Sequence, residues 1–284
     1  MKGKCALYDI ETDLRESHIY PKFVIKHTKK TGSDFLRRVV DPNKREQDGL
    51  KLYLLSSDAE QKFGVREKWF AENIFVPYLK GKLTFDYDQN LYYFAISFLW
   101  RILLTEFKTN KELKNKWYYE QLKEVEIEWR KFLDKEIIPT KYHNANLVFT
   151  DRIKSHTTDL KGVDFYFTRM MDATIVSSPD KTLLFLYGKF NRFIFWSVIK
   201  SPKYNDELYE VEINPKKGTI EVPQGLDYEP ILTFIGNRIK GISEFPSAST
   251  EQQEKIEKEI MKNPEKFLKS DVWKSLFNDQ ILEE

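Results

Sequence analysis

The chain has 284 residues, 41% hydrophobic and 15% aromatic, and its 46 Lys plus Arg against 44 Asp plus Glu leave a net charge of +2. That composition excludes a disordered chain and supplies a core for one large or two modest domains, while the near-neutral balance requires any surface for a polyanion to be local. The single cysteine, Cys5, excludes a disulfide framework and a zinc site made of several thiolates.

The opening MKGKCALYDIETD carries no apolar run of signal-peptide length, and with the lone thiol it predicts a cytoplasmic protein. After a short strand-like start comes ESHIYPKF, in which His18 stands three residues before Pro21. Proline suits a first helical turn because its missing donor has no partner there, and Gly32 suits a stop, so a short basic helix is predicted over 21–31. FLRRVV (35–40) and LKLYLLS (50–56) read as strands around a turn-rich loop, DPNKREQDG (41–49).

A helix is predicted from Asp58 to about Pro77, with Phe63, Phe70 and Ile74 at helical spacing. Further helices follow over 91–107 and 110–136, the second with Trp117, Gln121, Val125, Trp129 and Phe132 or Leu133 along one side. The run LYYFAISFLWRILL (91–104) is 14 residues long and contains Ser97 and Arg101. A membrane span needs ~20 apolar residues, so this is predicted to be a buried core helix and the chain to have no membrane segment.

Beyond Pro139 the pattern changes. NLVFT, DFYFTRMM, ATIVS, TLLFLYG, FIFWSVI, ELYEVEI and GTIEV, spread between 144 and 222, are rich in β-branched and aromatic residues and predict an antiparallel meander without intervening helix. Helices return after Glu229 and from Ser249, where Ser249 and Gln252 have capping-box spacing, with a break at Asn263-Pro264.

A histidine at a strand end, two strands around a loop and a helix directly after them form the layout with which ββα-metal nucleases set a base and an ion on one phosphate. Phosphodiester hydrolysis needs a base near neutral pKa to activate water and a divalent cation to offset phosphate charge. SHIYPKFVIKHTKKTGSDFLR, PNKREQDGLKLYLL and AEQKFGVREKWFAENIFVPYL resemble the N-terminal part of a group of bacterial HNH-endonuclease-like proteins with a zinc-ribbon motif, and the similarity runs on through IPTKYHNANLVFTDRI and KIEKEIMKNPEKFLKS. In that group the pattern is CxxC, SHIIPK, LLCxxCE. Here Cys5 is kept, while Tyr8, Ser56 and Ala59 stand at the other three ligand positions. One thiolate does not hold a tetrahedral zinc, so no structural zinc is expected, and Leu7, Leu54, Leu55 and Phe63 are expected to hold this unit by packing.

The resemblance implies His18 as general base, Asn43 as the group orienting its imidazole, and Glu60, with Asp58 as a substitute, as ligand of a catalytic Mg or Mn ion; Ser17 stands where a further ligand is usual. Residues 22–51 hold nine basic and four acidic side chains, a local net of +5, and Lys22, Lys26, Lys44 and Arg45 are candidate phosphate contacts. Each has a bland alternative: Asn43 as an ordinary turn residue, Asp58 and Glu60 as dipole-favoured residues of a first helical turn, the lysines as a solvated helix face. His27, His143 and His156 have no visible partner set and read as structural. No Walker loop, GxGxxG, GxSxG or HExxH is present.

The expected fold is therefore α+β, with an HNH-like ββα unit over 1–81, a helical segment over 82–138, and an antiparallel sheet with C-terminal helices over 139–284. The expected function is a divalent-metal-dependent nuclease-like protein acting on DNA or RNA, implied by the resemblance to serve in bacterial defence. The alternative is a catalytically inactive HNH-like scaffold that binds nucleic acid or a protein partner, including a second copy of itself.

Overall fold

The structure is a computed structural model and describes residues 1–202 and 210–283. It is a mixed α+β fold whose sheets are antiparallel. In the N-terminal part, β1 (Lys2–Lys4), β2 (Glu11–His18) and β5 (Lys51–Ser56) form a three-stranded sheet in the order β1-β2-β5. Between β2 and β5 lie α1 (Lys22–Lys30), which Pro21 opens as its spacing predicts, and a hairpin of β3 (Leu36–Arg38) and β4 (Asp41–Glu46). The hairpin corrects the expected loop over 41–49. Its strands pair only with each other, and such a two-stranded edge tolerates Pro42, which has no N–H to donate.

β5 runs directly into α2 (Ser57–Phe70), whose N-cap Ser56 accepts from the Ala59 amide. The helix does not stop at Pro77. It widens into a π-turn over Ala71–Phe75 and continues as α3 (Val76–Leu79). The wide turn lies where the Pro77 ring would otherwise meet the Asn73 carbonyl, a usual cause of such a bulge.

α4 (Gln89–Thr109) is the centre of the molecule, with every residue from Leu91 to Leu103 buried. Apolar on all sides, it has to be surrounded: α2 and α5 (Tyr119–Lys135) pack on it, and its remaining face meets a four-stranded sheet of order β7-β10-β9-β8. The strands are β7 (Asn146–Phe149), β8 (Met171–Ser177), β9 (Leu184–Phe190) and β10 (Phe193–Lys200). Helix and sheet approach most closely at Gly188 on β9, where an added Cβ would stand 2.5 Å from Ile102 Cδ1 and 2.7 Å from Phe98 Cε1. Leu7, Leu54, Leu55 and Phe63 of the N-terminal part share this core with α4 and the sheet.

Three expectations need correction here. DFYFTRMM is not a strand: Val163–Arg169 forms a helix, α6. Its first free amides, Asp164 N and Phe165 N, donate to the Asp279 carboxylate at 2.7 and 2.9 Å, a cap delivered from more than a hundred residues away. GTIEV does form a strand, β11 (Lys217–Glu221), but it leaves the main sheet and pairs with β6 (Thr84–Asp88), a strand within the stretch expected to be helical. Of ELYEVEI, residues 207–209 lie outside the described residues; Val211 and Ile213 bond the backbone beside β7 without forming a strand.

The far face of the sheet is covered by α6 and α7 (Glu229–Ser243), with Tyr228, Ile231, Ile235 and Ile239 in a second core against Phe185, Tyr187 and Trp196. α8 (Thr250–Lys262), α9 (Pro264–Leu268) and α10 (Asp271–Glu283) follow, broken at Asn263-Pro264 as expected. Ser249 caps α8 by accepting from Gln252 N at 3.4 Å. α10 lies on α6, and the Asp271 amide donates to the Thr31 carbonyl at the end of α1. Among the described residues no helix is long and apolar enough to cross a membrane.

Candidate functional site

Two neighbouring features occupy the N-terminal sheet and α2. The first joins the four positions singled out in CxxC and LLCxxCE. The turn after β1 returns on itself through Cys5 N to Ile10 O (2.8 Å) and Asp9 N to Cys5 O (2.9 Å). Cys5 is fully buried; its Sγ lies 3.6 Å from Ser56 Oγ and accepts from Ser56 N at 3.3 Å, while Ser56 Oγ accepts from Ala59 N at 3.3 Å. Tyr8 stands beside them, its phenol pushed up by burial and then by the nearby Asp134, Cys5 and Asp58. Hydrogen bonds thus join Cys5, Ser56 and Ala59, with Tyr8 alongside.

The second feature surrounds the end of β2. His18 is the last residue of that strand, paired in register with Lys51. Its carbonyl accepts from Arg101 Nη1 at 3.0 Å, and the same nitrogen is ion-paired to Glu67 Oε1 at 2.7 Å. Arg101 comes from the middle of α4, is 2% exposed, and also donates from Nε to Ser97 O at 3.3 Å. Glu60 and Glu67 are seven apart on α2 and so share a face, with the exposed Gly64 between them and open space where its side chain would begin.

His18 Nε2, Glu60 Oε1 and Arg101 Nη2 are buried without a hydrogen-bond partner, three of the nine such side-chain atoms among the described residues, and the buried Ser17 hydroxyl has the Glu60 carboxyl as its neighbour. Buried polar atoms are normally paired, and a group of exceptions in one place marks a site or an unfilled demand for donors and acceptors.

Charge divides the cluster. Burial first, then Lys51, holds the His18 pKa below its ordinary value; Lys22 acts in the same direction, and Asp48 and Glu67 oppose it. The imidazole is therefore neutral at pH 7 and able to accept a proton. Burial pushes the Glu60 carboxyl up, with Ser17 and Arg101 opposing the shift and Glu67 adding to it. Lys22 and Lys26 lie four apart on exposed positions of α1, and Lys44 is exposed on β4.

The predicted residues therefore separate. His18 and Glu60 share a neighbourhood through Arg101 and Glu67. Asn43 does not orient the imidazole: its Oδ1 accepts from Ser249 N at 2.8 Å, at the start of α8. Asp58 is exposed, two residues from Glu60 and so on the other side of α2, facing Tyr8. Arg45 is ion-paired to Glu259 of α8 at 2.7 Å. Arg101 and Glu67 were missed in the sequence, although a lone arginine inside an apolar helical run is itself a signal of a buried partner.

The donor set fits the implied divalent ion poorly. A buried guanidinium stands beside the carboxylates and already engages Glu67, Glu60 is biased toward its neutral form, and among the described residues no three His, Cys, Asp or Glu side chains gather closely enough to hold an ion.

His27 is the other perturbed histidine, edge-on to Phe75 with ring centroids 5.1 Å apart. Burial first, then Arg169, pushes its pKa down to about 4. The folded protein therefore keeps His27 neutral while the unfolded chain takes up a proton below its ordinary value of 6.5. Stability is lost as pH falls from about 6.5 to about 4, by about 2 kcal/mol after allowing for partial solvent contact. Urea unfolding across that range should show a shallower acid loss in His27→Gln.

No protein-family model, curated protein or solved structure matches this chain.

Proposed function

We propose that the chain is a nucleic-acid-binding protein on an HNH-like scaffold, engaging the phosphodiester backbone beside His18 without using a metal ion there. The carrying observation is the pair of lysines acting on a neutral imidazole: Lys22 and Lys51 both lower the His18 pKa, Lys51 being ion-paired to Asp48 at 2.6 Å, while Lys22 and Lys26 are exposed on α1 and Lys44 on β4. Such cations attract a polyanion by releasing its counterions. The meeting of Cys5, Ser56 and Ala59, with Tyr8 alongside, supports the HNH-like reading of the ββα unit.

A second reading, hydrolysis with His18 as general base, is favoured by one observation: the buried His18 Nε2 has no hydrogen-bond partner, an unmet demand that a reacting water would fill once admitted. Against it stand Asn43 and Asp58, which lie apart from the imidazole.

One experiment separates the two. Binding of duplex DNA and of single-stranded RNA by the purified protein should weaken steeply with salt, and Lys22→Ala/Lys26→Ala/Lys44→Ala should cost about tenfold or more at low salt. Plasmid nicking and RNA cleavage in Mg²⁺ or Mn²⁺ should be absent. Cleavage lost in His18→Ala would reverse the order of the two readings; salt-insensitive binding, or none, would remove the first.

A further inference from the structure

A cleft of about 670 Å³, whose lining starts two residues beyond His18 at Tyr20, opens between the N-terminal and C-terminal parts of the chain. α1 and the β3–β4 hairpin form one wall, and α6, β8, α7 and α10 form the other. Its lining is mainly apolar, with Tyr20, Leu36, Met171, Ile242, Phe245 and Leu276 among its residues. This size and lining are those of small-molecule sites, in which a few polar groups fix the orientation of a largely apolar ligand.

The charges of the lining do not balance. Asp172 is engaged by Arg238, which donates from Nε at 2.8 Å and from Nη2 at 2.6 Å, and Glu46 is paired with Arg38 at 2.9 Å. Arg37 and Arg169 are left over. Arg37 donates to the Pro42 carbonyl at 3.0 Å; Arg169 donates to Thr31 Oγ1 at 2.7 Å and to the Thr28 carbonyl at 2.9 Å. All of these acceptors are neutral, and Asp271 acts on Arg169 only from beyond ion-pair range, yet Arg169 is only 5% exposed. Behind it, Lys189 is fully buried on β9, held by the carbonyls of Met170 (3.1 Å) and Asn191 (2.5 Å); burial pushes its pKa down to about 7, with Asp172 opposing, so it adds only part of a charge.

Burying a cation without a directly paired counter-charge is costly, and Arg169, on the wall of an apolar cleft, forms a demand that an anion satisfies. Arginine is also suited to it, since its planar fork binds carboxylate or phosphate through parallel N–H donors.

We propose that this cleft binds a small organic anion, a carboxylate or phosphate on an apolar body, with the anionic group at Arg169 and the body along Leu36, Met171, Ile242 and Leu276. The proposal rests on Arg169 and the cleft wall and does not use His18.

The test is a fluorescence titration of the full chain with 8-anilinonaphthalene-1-sulfonate, an anion on an apolar frame, followed by competition with laurate and with AMP. The wild type should bind the probe with a Kd of micromolar order, and Arg169→Met and Leu36→Trp should each weaken it about tenfold or more. Displacement by laurate identifies a carboxylate ligand, displacement by AMP an organic phosphate, and either supports the site. The Leu36→Trp variant narrows the cleft without touching a polar group, so it decides the matter if circular dichroism shows Arg169→Met unfolded. No probe binding by the wild type, an unchanged Kd in the folded variants, or no displacement by either competitor overturns the proposal.

Discussion

Glu67→Gln is expected to destabilise the protein by about 3–5 kcal/mol, the range for removing one partner of a buried ion pair. Arg101 is 2% exposed and sits in the middle of an otherwise apolar helix. With Glu67 neutral, its remaining hydrogen-bond partners are the carbonyls of His18 and Ser97, and the one carboxylate still acting on it, Glu60, lies outside ion-pair range and is pushed toward its neutral form by burial. The reverse change, Arg101→Met, should cost less, because the Glu67 side chain is 18% exposed and can regain water. The double variant Glu67→Gln/Arg101→Met should recover much of the loss, since without the guanidinium no buried charge is left in need of a counter-charge. Urea unfolding of the three variants checks this. If the two single effects simply add in the double variant, the pair is not coupled and the cluster around His18 is not held together as described.

Phe70→Ala should be comparably severe, about 3–5 kcal/mol. Phe70 is fully buried and stacked on Phe94, with centroids 4.0 Å apart and planes 9° from parallel. It also meets Phe193 of β10 edge-on at 5.5 Å, joining α2, α4 and the sheet. Its removal opens a cavity where those three meet, and interiors this tightly filled collapse only in part. Val65→Ala, on the same helix but 61% exposed, should stay within about 0.5 kcal/mol of wild type. Thermal and urea unfolding distinguish the two; equal effects would place Phe70 outside the core.

The parts of the fold that sequence patterning predicted correctly are those whose signals are local. Pro21 opens α1, the run from Leu91 to Leu103 is a buried helix, and β8, β9 and β10 emerge from segments dense in β-branched and aromatic residues. The β3–β4 hairpin and the continuation past Pro77 are local features that turn residues hid, but two larger errors were decided by a distant partner. α6 has the composition of a strand and is helical because Asp279 satisfies its first amides. β6 and β11 are separated by more than a hundred residues and stabilise each other. The site divides in the same way. His18 stands at the end of a strand as its neighbourhood predicts, but the positions of Asn43 and Arg45 are set by Ser249 and Glu259 on α8, which no reading of residues 41–49 reveals.

The Asp279 cap also has a meaning in time. On a ribosome adding roughly 5–20 residues per second, Asp279 follows Asp164 by 115 positions, a delay on the order of ten seconds. During that interval α6 lacks the carboxylate that satisfies its first amides. The far face of the sheet is therefore completed late in synthesis, and a chaperone that shields exposed aromatic segments would have its longest opportunity there, rather than at the N-terminal sheet, whose strands all lie within the first 56 residues.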